Sequence, residues 1–231
     1  MQQEQTVMLG LDSSASPLLV AACKAEKTAF RRRSGIKQER LLFPAVHSAL
    51  ATVGGTLQEV KRIFIVRGPG RFTGIRIALT FASMLKYLNQ TEVYGASVFE
   101  ILKYQVEQSR DFQTWKSAHP DGAVGVVLHA FRQEYFLQIF DKNNAAAQWL
   151  SYEELQDRLV NYPAPLFLAG TGANRQPLSA ILKGPYAWAK APVCVVQPNT
   201  LLTLCGRAEF ARKALEPLYL KPARFELVKP Q

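Results

Sequence analysis

Two short stretches carry residue types able to hold phosphate groups. Asp12, Ser13 and Ser14 open a turn-rich D-S-S-A-S-P run after an apolar stretch at residues 7–11. Such a turn can offer backbone amides and hydroxyls to a phosphate, although the same residues are ordinary turn formers. The second stretch is I-F-I-V-R-G-P-G-R-F-T-G-I-R at residues 63–76. There an apolar strand runs into Gly68, Pro69 and Gly70, and helical apolar spacing follows from Ile75. Glycine reaches backbone angles that side chains forbid and proline fixes one dihedral, so this turn is stiff and shaped. Thr73 is expected to cap the helix that follows. The open amides of its first turn, with Arg67, Arg71 and Arg76 around them, would then form an anion site. Gly170 and Gly172, in a G-T-G that ends another apolar run, make a third loop of this kind. None is a P-loop, because no Gly-Lys pair followed by Ser or Thr occurs.

Turnover would need more than loops. Asp12 is the single carboxylate near them, and His47, His119 and His129 are widely separated with no H-x-x-x-H pair. The residues therefore support weak nucleotide binding at most, with no catalytic residue, cofactor or metal expected. A peptidase would need a metal pair or a Ser/His/Asp set, for which three scattered histidines are a poor start. Cys23, Cys194 and Cys205 form no C-x-x-C and sit among apolar neighbours, which points to buried free thiols in a reducing compartment. The first residues, M-Q-Q-E-Q, lack a basic n-region, and no apolar run approaches the roughly 20 residues that span a bilayer. A cytoplasmic protein with no membrane partner is expected.

The elements that would position these loops follow from periodicity. Apolar runs at 7–11, 18–23 and 28–31 read as a three-strand meander. Leu41, Leu42, Ala45, Val46, Ala49, Leu50 and Val53 share one helix face, stopped by Gly54-Gly55. Thr56 with Glu59 predicts a short second helix. A strand at 63–66, the helix after the glycine turn, a strand at 92–95 and a helix begun by Ser97 and Glu100 and reaching about 109 complete a first half. Residues 111–122, with Trp115, His119 and Pro120, read as a loop. Strands at 123–128, 135–141 and 148–150 follow, with Asn143-Asn144 as a hairpin turn and a helix from the Ser151/Glu154 capping box to about 161. A strand at 166–169, a helix at 175–182, a strand at 193–196 and a helix at 199–215 close the chain. Each half sets strands first and then alternates helix and strand. The fold class expected is a duplicated α/β fold of ribonuclease H-like or actin-like ATPase type, with mixed sheets flanked by helices. The lobes are expected at 1–110 and 111–231.

A formal net charge of +10 and a pI near 9.7 point to a polyanionic partner. Arg31-Arg32-Arg33 is the densest basic cluster; the other basic residues are dispersed, with no aromatic-interleaved stripe that reads single strands. A nucleic-acid role would then be shared with a partner.

Taken in order, G-L-D-S-S-A-S-P, Q-E-R-L-L at 38–42, R-G-P-G-R-F-T-G-I-R, the later G-T-G and E-P-L-Y-L at 216–220 resemble the TsaB (YeaZ) family. These proteins are dimerization subunits of the bacterial complex that makes threonylcarbamoyladenosine in tRNA. The resemblance covers nearly the whole chain and is strongest over residues 7–96. It implies an ASKHA (actin-like ATPase) fold of two ribonuclease H-like lobes. It also implies a non-catalytic role: pairing with a TsaD-like subunit through first-lobe helices, a TsaE-like ATPase in the assembly, and tRNA met through the complex. A homodimer through the same face is an open alternative. The metal-holding histidine pair of the catalytic partner has no match here. Lys37, Phe43 and Arg71 depart from the family pattern, as does L-H-A-F-R at 128–132, which sets His129 and Phe131 where Asp and Arg usually stand. Loss of that carboxylate weakens an ATPase reading. The helices at 38–53 and 73–88 carry apolar residues over more than one face, so Leu42, Phe43, Val46, Ile77, Phe81 and Leu85 are the expected partner contacts.

Overall fold

The computed structural model describes residues 6–35, 37–142, 145–174, 186–212 and 215–221. The apolar runs pair as five strands: β1 (Val7–Asp12), β2 (Leu18–Lys24), β3 (Lys27–Arg33), β4 (Val60–Val66) and β5 (Glu92–Ala96), in the order β3-β2-β1-β4-β5. The first three form an antiparallel meander, while β4 and β5 add in parallel beside β1. Parallel central strands bury both faces, which is why β1 and β4 read as near-continuous apolar runs. Helices α1 (Gln38–Val53) and α2 (Phe72–Asn89) share a core with Leu9, Leu11, Val20, Ile63 and Ile65. A Cβ on Gly10 would lie 2.6 Å from the Cβ of Leu201, so a glycine in β1 lets α6 (Pro198–Leu204) approach the sheet.

A second sheet follows the same path. β6 (Ala123–His129), β7 (Glu134–Phe140), β8 (Gln148–Ser151), β9 (Leu166–Ala169) and β10 (Tyr186–Trp188) are ordered β10-β9-β6-β7-β8. The β6-β7-β8 meander is antiparallel and β9 and β10 are parallel to β6, so the pairing scheme of the first sheet is repeated strand for strand. Its core joins Val127, Tyr135, Leu137 and Leu168 to Leu155 and Leu159 of α5 (Tyr152–Val160). Helix α5 starts at a complete capping box between Ser151 and Glu154. Helices α3 (Val98–Glu107) and α4 (Arg110–Ala118) precede this sheet.

The two compact units are Met1–Val98 with Val196–Leu218, and Phe99–Val195 with Tyr219–Gln231. The crossing therefore falls at 98/99 rather than at 110, and the chain returns to complete the first unit because α6 packs on β1 and β2. Four local expectations are corrected. Thr56 and Glu59 close a turn, not a helix: Glu59 accepts from the Thr56 amide and hydroxyl (both 2.8 Å) and pairs with Lys24, and β4 begins at the next residue. Residues 110–118 are helical, with the Ser109 hydroxyl accepting from the Phe112 amide and Phe112 buried. Residues 191–194 form a 3-10 turn around Pro192, and the fifth strand is Tyr186–Trp188 instead. The last predicted helix stops at Leu204, ahead of Gly206 at φ +99°. The expected helix at 175–182 and the Asn143-Asn144 turn lie outside the described residues.

Candidate functional site: two packed loops and a helix face

Strands β1 and β4 are parallel neighbours, so the loops that follow Asp12 and Val66 leave the sheet side by side. They pack directly against each other. The Ser13 hydroxyl donates to the Gly74 carbonyl (2.7 Å), and the Arg71 amide donates to the Ser14 carbonyl (2.7 Å). A Cβ on Gly74 would lie 1.8 Å from the Ser13 carbonyl oxygen, and one on Gly70 2.2 Å from that of Ser14, so glycine is what permits the approach. Gln38, the first residue of α1, is 4% exposed and donates to the Ala15 carbonyl (2.6 Å), tying a third segment to the same knot. Gly68 takes φ +110°; its carbonyl accepts from the Val98 amide (2.7 Å), and the neighbouring Arg67 carbonyl from the Leu218 amide (2.8 Å). The Arg67 guanidinium also donates to the Glu216 carbonyl (3.2 Å), so the E-P-L segment straps the base of the glycine turn.

Asp12, Ser13 and Ser14 are 5%, 0% and 3% exposed. One carboxylate oxygen, Oδ1 of Asp12, accepts from both the amide (2.9 Å) and the hydroxyl (2.6 Å) of Ser14. Burial pushes the Asp12 carboxyl up, and the Ser14 bonds only partly offset this. The group is thus turned inward, toward its own loop. Thr73 does not cap α2: the helix starts at Phe72 with Arg71 as N-cap and no side-chain cap bond, and Thr73 sits exposed in the first turn. Among the described residues no group of three or more His, Cys, Asp or Glu could hold a metal ion.

The second unit has a matching pair of loops. Gly170, at φ +107°, follows β9 as Gly68 follows β4, and a Cβ there would lie 2.3 Å from the Val127 carbonyl oxygen. Gly172 presses on the Val127 side chain. The hairpin after β6 is held by the His129 amide donating to the Thr171 hydroxyl (3.3 Å), and by a 2.8 Å bond between His129 Nε2 and the Arg132 carbonyl. At its tip Phe131 is exposed, with the Arg132 guanidinium 5.2 Å from its ring centroid.

Of the six expected partner contacts, Leu42, Val46, Phe81 and Leu85 are core side chains, 1–3% exposed. Phe43 is 53% exposed and Ile77 is half-buried. The wide apolar stripes of α1 and α2 serve the sheet first. What remains outward includes Phe43, whose ring meets Phe81 edge-on at 5.5 Å, and Tyr87 and Leu88 farther along α2, 86% and 65% exposed, while Ile77 and Met84 are partly buried against the core. A shallow groove beside Ser83, Lys86, Tyr87 and Leu215 extends this face. No helix among the described residues is long and apolar enough to cross a membrane.

Residues 36–120 match the family model for TsaD, tRNA N6-adenosine threonylcarbamoyltransferase. The tRNA threonylcarbamoyladenosine biosynthesis protein TsaB of Bacillus subtilis (strain 168) is 27% identical over 227 residues, covering 95% of this chain and 96% of that one. The protein of the same name from Buchnera aphidicola subsp. Schizaphis graminum is 29% identical over 98 residues, 42% of this chain and 46% of the relative. Among solved structures, YeaZ from Pseudomonas aeruginosa superposes with a TM-score of 0.65 at 25% identity, over 93% of this chain and all of that one. A Bacteroides thetaiotaomicron protein with an actin-like ATPase fold shares the fold at a TM-score of 0.51 and 11% identity, over 87% of this chain and 97% of that one. The repeated sheet, the glycine turn after the fourth strand of each unit and these likenesses define a duplicated ASKHA-like α/β protein. Within that class, the chain is similar over nearly its whole length to proteins of the TsaB (YeaZ) family.

Proposed function

We propose that this chain serves the biosynthesis of threonylcarbamoyladenosine in tRNA as a non-catalytic cytoplasmic subunit that pairs with a TsaD-like protein, with a TsaE-like ATPase in the same assembly. The observation that carries the pairing is the exposed apolar set on α1 and α2, Phe43, Tyr87 and Leu88, beyond what the core uses. It lies within the stretch that matches the TsaD model, so a partner built on the same lobe can offer a like helix pair in return. The non-catalytic part of the reading is supported by the inward-turned Asp12 and by loops that fill each other's space at Ser13, Ser14, Gly70 and Gly74. Those residues act as the frame that fixes where α1 and α2 begin.

Phe43→Glu is the direct test, because Phe43 is half exposed and meets the core only through its edge-on contact with Phe81. Capture of the TsaD-like subunit should fall at least about tenfold, with the variant still unfolding cooperatively and melting within a few degrees of the natural chain. Unchanged capture would overturn the pairing. A homodimer on this face would show as concentration-dependent dimerisation that Phe43→Glu also abolishes. Calorimetric titration of the chain with ATP and magnesium should give no saturable heat; saturable heat would revive a nucleotide-binding reading of Asp12, Ser13, Ser14, Gly68, Gly70, Thr73, Gly170 and Gly172.

A further inference from the structure

The charge of this chain is not spread evenly. Residues 27–91 hold twelve Lys and Arg against two Glu, while the remainder holds sixteen of each sign, so the whole formal excess of +10 arises in β3, α1, β4 and α2. The fold then gathers much of it at one end of the first unit. In the β2–β3 register Leu19 opposes Arg32 and Leu18 opposes Arg33, which sets the arginine run beside the D-S-S-A-S-P loop, where β1 and β4 finish. Helices α1 and α2 both begin at this end, bound to Ala15 and Ser14. Lys37 and Arg40 flank the first helix start, and Arg71 and Arg76 the second. All six of Arg32, Arg33, Lys37, Arg40, Arg71 and Arg76 are exposed, Arg32 also donating to the Gln197 side chain (3.4 Å); Arg31 is bound to Ser48 and Thr52 of α1 and Arg67 is half-buried. The carboxylates at this end include Glu39 and Glu216, both on the surface, and Asp12, buried in its turn. Two helix N-termini add partial positive charge to the same rim.

We infer that these six side chains form a surface of the first unit that takes the phosphate backbone of RNA. Five of the six are arginines, whose planar forks match phosphate oxygens better than ammonium groups do. The Arg76 guanidinium lies 3.8 Å over the half-exposed Phe72 ring, a flat cation and aromatic pair of the kind on which a base stacks. The choice of RNA over another polyanion rests on the proposed role in tRNA modification; the surface itself rests on charge and topology. The chain thereby contributes its own hold on the substrate in addition to any made by its partner.

The experiment is fluorescence anisotropy of the full chain with an unmodified tRNA transcript across 50–200 mM salt. Saturable binding is expected, with log affinity falling linearly against log salt at about 0.7 to 0.9 per neutralised phosphate. Arg32→Gln/Arg33→Gln/Lys37→Gln should weaken binding about tenfold or more at low salt and reduce the slope by about 2 to 3, with capture of the TsaD-like subunit retained. Lys142→Gln/Arg158→Gln in the second unit should change neither. Phe43→Glu should lose the TsaD-like subunit and keep the RNA, which separates a failure of the pairing from a failure of this surface. No binding by the natural chain, an unchanged slope in the triple variant, or polyglutamate competing as well as tRNA would each overturn the inference.

Discussion

The two units share a strand path and differ in what fills the turn after their first strand. In the first unit that turn is buried: Asp12, Ser13 and Ser14 are nearly inaccessible and knotted to Gly70, Gly74 and Gln38. In the second it is an open hairpin with half-buried His129 and exposed Phe131. Both keep a glycine at φ near +110° after the fourth strand, so the backbone frame is duplicated while the side chains on it have parted. A frame survives such divergence because glycine turns and parallel strand pairing are backbone properties, which the side chains can abandon without changing the path of the chain.

Breaking the frame on the buried side should cost most. Gly74→Ala drives a methyl into the Ser13 carbonyl, and neither helix nor loop can yield, so a loss of about 3 kcal/mol or more in urea unfolding, or insoluble protein, is expected. Gly172→Ala, which meets chiefly the Val127 side chain, should cost about 1 to 2 kcal/mol. Equal losses would mean the two turns are equally confined.

Asp12→Asn keeps an acceptor for the Ser14 amide and hydroxyl without burying a charge. A carboxyl whose folded pKa is raised makes folding more favourable as pH falls, because the folded state then binds the proton the more tightly. The asparagine variant should therefore melt higher than the natural chain at pH 8, by a few degrees at most, with the gap closing as pH falls toward the ordinary carboxylate range. A gap that widens on acidification would contradict this. His129→Ala, which removes one half-exposed bond to the Arg132 carbonyl, should cost about 1 kcal/mol or less by the same melting assay.

The smallest effect should come from Glu59, whose partners Lys24 and Thr56 hold its carboxyl down to about 2 from an ordinary 4.5. A lowered pKa stabilises above the ordinary value and is lost as pH falls through the folded one. The natural chain should keep a constant small advantage over Glu59→Gln in urea midpoint from pH 6 to 8, and lose it between pH 4.5 and 2.

How much of this was legible in the sequence depends on the kind of signal. The meander, the glycine turn, the stop at Gly54-Gly55 and the Ser151 capping box follow from local backbone chemistry, and the structure has them. Helix α4 was hidden because its face carries only Phe112 and Trp115 among polar residues, although the Ser109 cap with Asp111 and Lys116 at the two ends was there to be read. Gln38 gave no sign that it would be buried, since its partner Ala15 is 23 residues away. The exposed apolar residues of α1 and α2 were overcounted because helical spacing shows which residues are apolar and not which of two neighbours, such as Leu42 and Phe43, faces the sheet.

The return of residues 196–218 to the first unit bears on synthesis. A ribosome delivers the five strands of the first sheet early, yet α6, which packs on β1, β2 and β4, and the strap that reaches Arg67 through Leu218 emerge only near the end. The half made first is thus finished last, and a nascent chain stalled midway would display an apolar sheet face to chaperones rather than a settled lobe.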